Sequence, residues 1–322
     1  MAGLGEHITA MVRSHASGDD SAFYSVALQV AAREARQGHH VLADDIKKAV
    51  DASRSATPRS NVTKLAQPRG DLADLIEVSH PEVTLRNLVG PSELREQLKQ
   101  VIAEQRQRKR LLEHGFDPTD RLLLEGPPGT GKTMTAAVLA HELSLPMFTV
   151  RLDSLLSKYM GETAGKLRQV FDAVARRRGV YLFDEFDALG GDRSGNDVGE
   201  ARRILNSFLV FLEQASTESI VVAATNHRAI LDKALFRRFD TVLTYHLPDM
   251  AQAREVIKGR LGSLIRGVRW DSVDARTEGL SHAELVKAAE AAAKAVLMRG
   301  DTVIGADDLI SALEARRTAS GG

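Results

Sequence analysis

Eight consecutive residues combine glycines, a lysine and a hydroxyl in an order that suits phosphate binding: Gly126, Pro127, Pro128, Gly129, Thr130, Gly131, Lys132 and Thr133. In a loop of this composition, the glycines leave backbone N–H groups able to surround phosphate oxygens. Lys132 can then reach the β and γ phosphates, and the Thr133 hydroxyl can ligate Mg²⁺. The segment therefore predicts a site for a nucleoside triphosphate and Mg²⁺.

A pair of acidic residues follows a second apolar run, and Asp184 lies 51 residues beyond Thr133. Asp184 can orient water bound to Mg²⁺, and Glu185 can polarise the water that attacks the γ-phosphate. Asn226 closes another apolar run and offers an amide that can position the same water. These side chains can act together only if the ends of several strands meet.

Four short apolar runs provide such strands, because each ends in a polar or glycine-containing turn, as buried parallel strands do. The runs are residues 121–126, 147–152, 179–185 and 219–226. Helical segments fill the gaps between them. This alternation predicts an α/β fold, in which a parallel sheet has helices on both faces and ligand groups at the carboxyl ends of the strands.

The rest of the chain predicts two helical parts on either side of this α/β domain. Apolar residues at helical spacing predict an N-terminal helical bundle over residues 1–55: Phe23, Val26, Ala27, Val30 and Ala31. Residues 56–80 contain prolines and small polar side chains and have the composition of a linker. The α/β domain then covers 81–248. Residues 249–322 read as a second, smaller helical domain, with a long helix from Ser281 to Met298.

Composition excludes several classes of protein. Lys and Arg total 43, and Asp and Glu also total 43, so no net charge draws the chain to nucleic acid or to an anionic membrane. The absence of Cys excludes disulfides, thiolate metal sites and thiol catalysis, and fits a reducing cytoplasm. No apolar run approaches the length of a membrane span, and the first residues lack a signal peptide pattern. We therefore expect a soluble, cytoplasmic protein.

Over residues 80–317 the sequence resembles the AAA family of P-loop ATPases, in particular the katanin and spastin branch of protein remodellers. Gly126 to Thr133 match its Walker A loop, and Asp184 and Glu185 match its Walker B pair. Asn226 matches the sensor-1 residue. Arg237 and Arg238 match the arginine fingers, which in this family enter the nucleotide site of the neighbouring subunit. The resemblance implies ATP as the nucleotide and a homo-oligomer, with a hexameric ring as the expected assembly.

The resemblance also identifies residues for the adenine end of the nucleotide. Asn87, Val89 and Gly90 lie in a stretch similar to the one that flanks the base. The helical segment after Pro248 resembles the family's lid, where Ser281, His282, Ala283 and Glu284 replace a common Ser-Gly-Ala-Asp. A histidine thus stands where a small glycine lies near the nucleotide, so His282 could alter nucleotide binding or its pH dependence.

A further segment, Lys158-Tyr159-Met160-Gly161, resembles the family's first pore loop. In that loop an aromatic residue, an apolar residue and glycine project into the central channel of a ring and grip an extended polypeptide. Tyr159 and Met160 can pack against almost any side chain, which suits threading that does not depend on sequence. The implied function is therefore an ATP-hydrolysing remodeller or unfoldase.

Two other functions remain open. One is a nucleotide-gated regulatory subunit that controls a partner effector without threading, such as a separate protease in a bacterial antiviral defence system. The other is a DNA-acting AAA+ ATPase, for which the basic run of residues 106–110 could serve as a patch. Zero net charge and the aromatic pore loop disfavour that reading, and the run fits a solvated helix face. The zinc-protease motif of some AAA relatives is absent, because Leu-Ser-Leu follows His141 and Glu142.

Overall fold

The computed structural model describes these parts of the chain: residues 20–36, 39–56, 71–155, 160–189, 198–215, 218–227 and 236–320. The chain divides into two units, residues 1–67 and 68–322. In the first unit, helices α1 (Asp20–Arg36) and α2 (His40–Ala56) pack against each other. Small and branched side chains are buried there, among them Ala27, Ala31 and Val50. The part of the predicted bundle that precedes Asp20 lies outside the described residues.

The second unit contains a six-stranded sheet in the order β1-β3-β4-β5-β2-β6. The strands are β1 (Ile76–Ser79), β2 (Arg121–Glu125), β3 (Met147–Val150), β4 (Val180–Phe183), β5 (Ile220–Thr225) and β6 (Thr241–Thr244). All neighbouring strands are parallel except β1, which pairs antiparallel with β3. The mixed α/β fold class is confirmed, and β2 to β5 lie within the four apolar runs that predicted strands.

The two edge strands were not predicted, and β1 lies inside the segment that the sequence assigns to a linker. Residues 71–79 instead form helix α3 (Asp71–Leu75) followed by β1. In β1 only Ile76 is fully buried, and in β6 only Leu243 is. Edge strands such as these have no continuous apolar run, because one side or one end of each contacts water. The linker prediction is therefore wrong for residues 71–79.

Helices cover both faces of the sheet and enclose a core on each face. They are α4 (Ser92–Arg106), α5 (Arg108–Glu113), α6 (Lys132–Glu142), α7 (Leu152–Leu155), α8 (Met160–Arg176) and α9 (Val198–Gln214). Short 3₁₀ turns span Leu85–Asn87 and Phe186–Leu189. The basic run of residues 106–110 does not lie on one continuous helix, since Gln107 separates α4 from α5. In the basic run, Arg106 donates to the Glu142 backbone oxygen at 2.7 Å, so that face is not wholly solvated.

The lid has its own apolar core, which includes Ile257, Leu285 and Leu313. It consists of helices α10 (Met250–Leu261), α11 (Trp270–Thr277), α12 (His282–Met298) and α13 (Ala306–Ser320), with a 3₁₀ turn at Gly262–Leu264. The described residues after Pro248 contain no named strand, as the sequence predicts. None of the helices in the described ranges combines the length and apolar composition that a membrane span requires.

Candidate nucleotide-binding site

The predicted phosphate loop lies between β2 and α6, at the carboxyl end of the sheet. Gly126, Gly129 and Gly131 have φ of 144°, 74° and 104°, which favour glycine. A Cβ atom on Gly126 would lie 2.3 Å from the backbone oxygen of Tyr245. A Cβ atom on Gly129 would lie 2.7 Å from Ser281 Oγ, in the lid. The loop therefore needs glycine both for its conformation and for close packing.

Lys132, the first residue of α6, is 6% exposed and its side chain turns over the loop. Its Nζ donates to the backbone oxygens of Gly126 at 2.7 Å and Pro127 at 2.8 Å. Burial lowers the pKa of Lys132, whereas the charges of Asp184 and Asp187 raise it. The ammonium group is thus held over the loop's own carbonyls, where an anion would find a positive charge with little water around it.

Thr133 and Asp184 meet because β5 lies between β2 and β4 in the sheet. Side chains that follow these three parallel strands gather at the carboxyl ends of the strands, which we call the carboxyl edge of the sheet. There Thr133 Oγ1 donates to Asp184 Oδ2 at 2.6 Å. Hydroxyl and carboxylate oxygens are ligands that Mg²⁺ accepts, so the pair fits that ion. The described residues hold no group of three or more His, Asp or Glu that could bind a metal alone. Phosphate and water oxygens would have to complete the shell.

Glu185 and Asn226 complete the group of residues at this edge. Glu185 is exposed, has a φ of 51°, and donates its backbone N–H to Asp184 Oδ1 at 2.9 Å. A positive φ at a residue other than glycine is uncommon, and here it turns the chain directly after β4. Asn226 follows β5, and its backbone N–H donates to Asp187 Oδ1 at 3.2 Å.

Asp187 is a site residue that the sequence reasoning missed. Its Oδ1 also accepts from Thr225 Oγ1 at 3.1 Å, so one carboxylate fixes the turn that carries Asn226. The signal was present, because Asp187 is the third acid in Asp184-Glu185-Phe186-Asp187. Only the hydrogen bonds that Asp187 accepts from Thr225 and Asn226 show that this acid supports the turn after β5.

A cavity of about 380 Å³ lies beside the phosphate loop, between the sheet domain and the lid. Asn87, Val89 and His282 all line it, so the structure brings these predicted residues together. Its other lining residues come from four segments: Arg86, Leu88, Thr130, Gly131, Met134, Glu255, Val256, Gly259, Arg260 and Val286. The sequence did not identify Met134, Glu255, Arg260 or Val286, which are scattered along two helices of the lid and one of the sheet domain.

The other residues predicted at the base end have different positions. Gly90 does not line the cavity, and a Cβ there would be 3.2 Å from the Leu94 side chain. Ala283 contacts the phosphate loop instead, since its backbone N–H donates to the Gly129 oxygen at 3.0 Å. Asn87 does line the cavity, and its side chain is held within its own turn. The Asn87 side-chain oxygen accepts hydrogen bonds from the Thr84 N–H and hydroxyl, at 3.0 and 2.8 Å.

Arg237 and Arg238 lie near the amino ends of the strands, which we call the amino edge of the sheet, whereas the phosphate loop lies at the carboxyl ends. They precede β6, which runs parallel to β2, and Asp240 N–H donates to the Arg121 oxygen at the start of β2. Arg238 Nη1 is 2.5 Å from Glu213 Oε2. Arg237 is exposed and forms no ion pair with another residue in the described ranges. The structure therefore does not bring these arginines to the phosphate loop of their own chain.

The structure describes only part of the predicted pore loop, Lys158 to Gly161. Lys158 and Tyr159 lie outside the described residues. Met160 and Gly161 begin α8, and the structure describes their backbone alone.

Comparison with known proteins identifies the family. A model of the ATPase family associated with various cellular activities (AAA) matches residues 122–247. An uncharacterised AAA family ATPase, y4kL of Sinorhizobium fredii, is 34% identical over 310 residues, which cover 94% of this chain and 93% of that protein. The chain belongs to the AAA family of ATPases. It is therefore an ATPase, as the sequence predicts.

Other AAA proteins match over part of their length. The ATP-dependent zinc metalloprotease FtsH 2 of Sorangium cellulosum is 34% identical over 276 residues, which are 82% of this chain and 45% of that protein. A proteasome-activating nucleotidase of Pyrococcus horikoshii is 30% identical over 247 residues, 74% of this chain and 62% of that protein. The crystal structure of the FIGL-1 AAA domain shares the fold, with a TM-score of 0.62 and 22% identity over 80% of this chain and 92% of that one.

Proposed function

We propose that this AAA ATPase is a protein remodeller that works as a ring, expected to be hexameric, and uses Lys158 to Gly161 to grip polypeptide. Relatives with 30–34% identity include an ATP-dependent metalloprotease and a proteasome-activating nucleotidase, whose names refer to work on proteins. The separate lid and the phosphate loop with a buried lysine support ATP as the source of energy.

The observation that carries this proposal is the position of the arginines. β2 has five residues, so its two ends are roughly 16 Å apart at about 3.3 Å per residue. The phosphate loop follows one end, and Arg237 and Arg238 precede the strand that starts beside the other end. If Arg237 or Arg238 stabilises charge on the transferred phosphoryl group, it therefore acts on the nucleotide of a second copy of the chain.

Within one chain, each residue at the carboxyl edge has a proposed task in ATP binding or hydrolysis. Lys132 binds the β and γ phosphates of ATP, and Thr133 and Asp184 would hold Mg²⁺, which when bound neutralises phosphate charge. Glu185 accepts a proton from the water whose oxygen attacks the γ-phosphorus, while the bond to the ADP oxygen breaks. Asn226 orients that water. Exposure of Glu185 and the fixed turn at Asn226 support these tasks.

Tyr159 connects ATP turnover to work on a polypeptide in this proposal. We expect Tyr159→Ala to keep basal ATPase activity, because the residues of the catalytic edge are unchanged. Stimulation of ATPase activity by an unfolded protein such as casein, and unfolding of a fluorescent fusion protein, should both be lost. Tyr159→Phe is the matched control and should retain most of both activities, since it keeps the aromatic ring.

Other outcomes favour a different function. Full remodelling activity with Tyr159→Ala would contradict threading through this loop. An ATPase that no unfolded protein stimulates, but that controls a co-purifying protease through its nucleotide state, would favour the regulatory subunit. Stimulation by single-stranded or duplex DNA would favour the DNA-acting alternative.

A further inference from the structure

We propose that Asp240 is a positioning residue for the two arginines of the amino edge, because its carboxylate fixes the segment that carries them to the start of β2. This inference rests on the proposed function, in which Arg237 or Arg238 acts on the nucleotide of a second copy of the chain. It gives Asp240 a part in turnover, although this residue and the phosphate loop lie at opposite ends of the strands.

Three hydrogen bonds join Asp240 to the start of β2. Its Oδ2 accepts from the backbone N–H groups of Asp120 and Arg121, each at 2.9 Å. Its own N–H donates to the Arg121 backbone oxygen, also at 2.9 Å. Hydrogen bonds to an ionised acceptor are roughly twice as strong as those between neutral groups. The side chain and the backbone of residue 240 therefore both anchor it to β2, a strand whose middle residues are fully buried.

Arg237 depends on its backbone for its position. Its side chain is exposed and forms no ion pair with another residue in the described ranges. The place of its guanidinium group therefore follows from the path of residues 236–240. Phe239 packs into the core within this stretch, and Asp240 holds the end that enters β6. Arg238 has an ion pair with Glu213 besides, so a shift of the segment should affect Arg237 more.

The carboxylate of Asp240 is kept at an electrostatic cost. Burial, and next the charge of Asp240, raise the pKa of Asp120 to about 6. The Arg121 guanidinium, with Nε 3.5 Å from Asp120 Oδ1, offsets part of this effect. A neutral residue at 240 would avoid the repulsion between the two carboxylates. The two N–H groups of β2 that bind Asp240 are the contacts that favour an acceptor at this position.

The first measurement compares two substitutions of Asp240. Asp240→Ala removes the acceptor and should lower turnover, measured by phosphate release, by about tenfold or more, because small displacements of a catalytic group are costly. The affinity for a fluorescent ATP analogue should stay unchanged, since the phosphate loop lies at the carboxyl edge. Asp240→Asn keeps an oxygen that can accept the same two bonds and should retain most of the turnover.

Glu104→Ala is the matched control. Glu104, in α4, also holds the approach to β2 with a carboxylate, because its Oε2 accepts from the N–H of Thr119 at 3.0 Å. Thr119 lies one residue before Asp120, so this substitution loosens the same stretch of chain from the other side. Its turnover should be close to that of the unmodified chain.

A mixing assay separates a misplaced arginine from a general loss of structure. Asp240→Ala chains keep an intact phosphate loop, and Lys132→Ala chains keep an intact arginine segment. In rings mixed at equal amounts, the ATPase activity should exceed the mean of the two unmixed variants by about fivefold, because about a quarter of the sites are complete. A mixture of Asp240→Ala with Arg237→Ala should show no gain, since neither chain supplies a well-placed Arg237.

Each other outcome overturns a definite claim. Unchanged turnover in a folded Asp240→Ala chain, no gain with Lys132→Ala, or an equal gain with Arg237→Ala overturns the role of Asp240 alone, when Arg237→Ala and Lys132→Ala chains recover activity together. If that control pair does not recover, the neighbour's arginine fails, and the role of Asp240 with it. If Asp240→Ala does not melt cooperatively, Asp240→Glu replaces it with the same expected results, because its longer side chain keeps the charge but shifts the segment.

Discussion

The two edges of the sheet differ in how their charged groups are partnered. At the carboxyl edge, Lys132, Thr133 and Asp184 bind one another or nearby backbone, with oxygen and nitrogen atoms 2.6 to 2.9 Å apart. At the amino edge, Asp120 and Asp240 are two carboxylates in close proximity, and Arg237 is exposed. Arg238 and Asp120 of the amino edge are paired within the chain, with Glu213 and Arg121, whereas Arg237 is exposed and has no ion pair among the described residues.

Under the proposed function, this difference means that one chain supplies only part of the catalytic machinery. The carboxyl edge offers groups that suit phosphate, Mg²⁺ and water, and these groups are hydrogen-bonded within the chain. In the proposed function, the arginine that adds positive charge in the transition state lies at the other edge. A site divided between two chains would make turnover depend on assembly.

The largest effect is expected at the phosphate loop. Lys132→Ala should weaken ATP binding by at least about 100-fold and abolish turnover, because it removes a buried cation that is proposed to contact two phosphates. Fluorescent nucleotide binding and phosphate release measure the two effects. Lys99→Ala, which removes an exposed lysine paired with Glu96, is the control and should leave both unchanged. Normal ATP affinity in a folded Lys132→Ala chain would contradict the proposed loop.

The two arginines should differ from each other. Arg237→Ala should lower turnover by roughly 10³-fold with little change in stability, since this side chain is exposed and is proposed to act on the neighbour's ATP. Arg238→Ala breaks the ion pair with Glu213, whose side chain is 49% exposed, and should cost only about 0.2–1 kcal/mol of stability. Phosphate release and thermal melting separate the effects. Equal turnover for Arg237→Ala and the unmodified chain would exclude Arg237 as a finger.

Glu185→Gln should leave ATP binding almost intact and slow turnover by about 10²–10⁴-fold, because only the acceptor for the water's proton is lost. Asp172→Asn, on the exposed face of α8, is a matched acid-to-amide control and should turn over normally. Hydrolysis by Glu185→Gln at the unmodified rate would assign the base to another residue.

The sequence predicted the carboxyl edge far better than the amino edge. Walker-type residues such as Lys132 and Asp184 lie in short motifs next to continuous apolar runs, so local pattern is enough to find them. Asp187, Glu213 and the cavity around His282 depend on contacts between distant segments. β1 and β6 are short edge strands with few buried side chains, so their composition resembles that of a loop.

The smallest effect concerns stability at the amino edge. Burial, and next the charge of Asp240, raise the pKa of Asp120 from 3.8 to about 6. Ionisation of Asp120 is therefore harder in the folded chain, so its contribution to stability is full below pH 4 and falls as the pH rises through 6. A shift of this size corresponds to at most about 3 kcal/mol.

Asp120→Asn should therefore be more stable than the unmodified chain at pH 7 by about 1–3 kcal/mol, and the difference should vanish near pH 4. Urea unfolding at pH 4, 5.5 and 7 measures this, with Asp172→Asn as an exposed control that shows no such trend. If the difference in stability between Asp120→Asn and the unmodified chain does not depend on pH, positive charges within the chain balance the carboxylates of the amino edge.

Mixing two inactive variants tests the division of the site most directly. Arg237→Ala chains keep an intact phosphate loop, and Lys132→Ala chains keep an intact arginine. In randomly mixed rings at equal amounts, a site has both an intact loop and a neighbour's arginine in about one quarter of cases. We predict that ATPase activity recovers toward that fraction. No recovery, in rings that native mass spectrometry shows to contain both variants, would contradict an arginine supplied by the neighbouring chain.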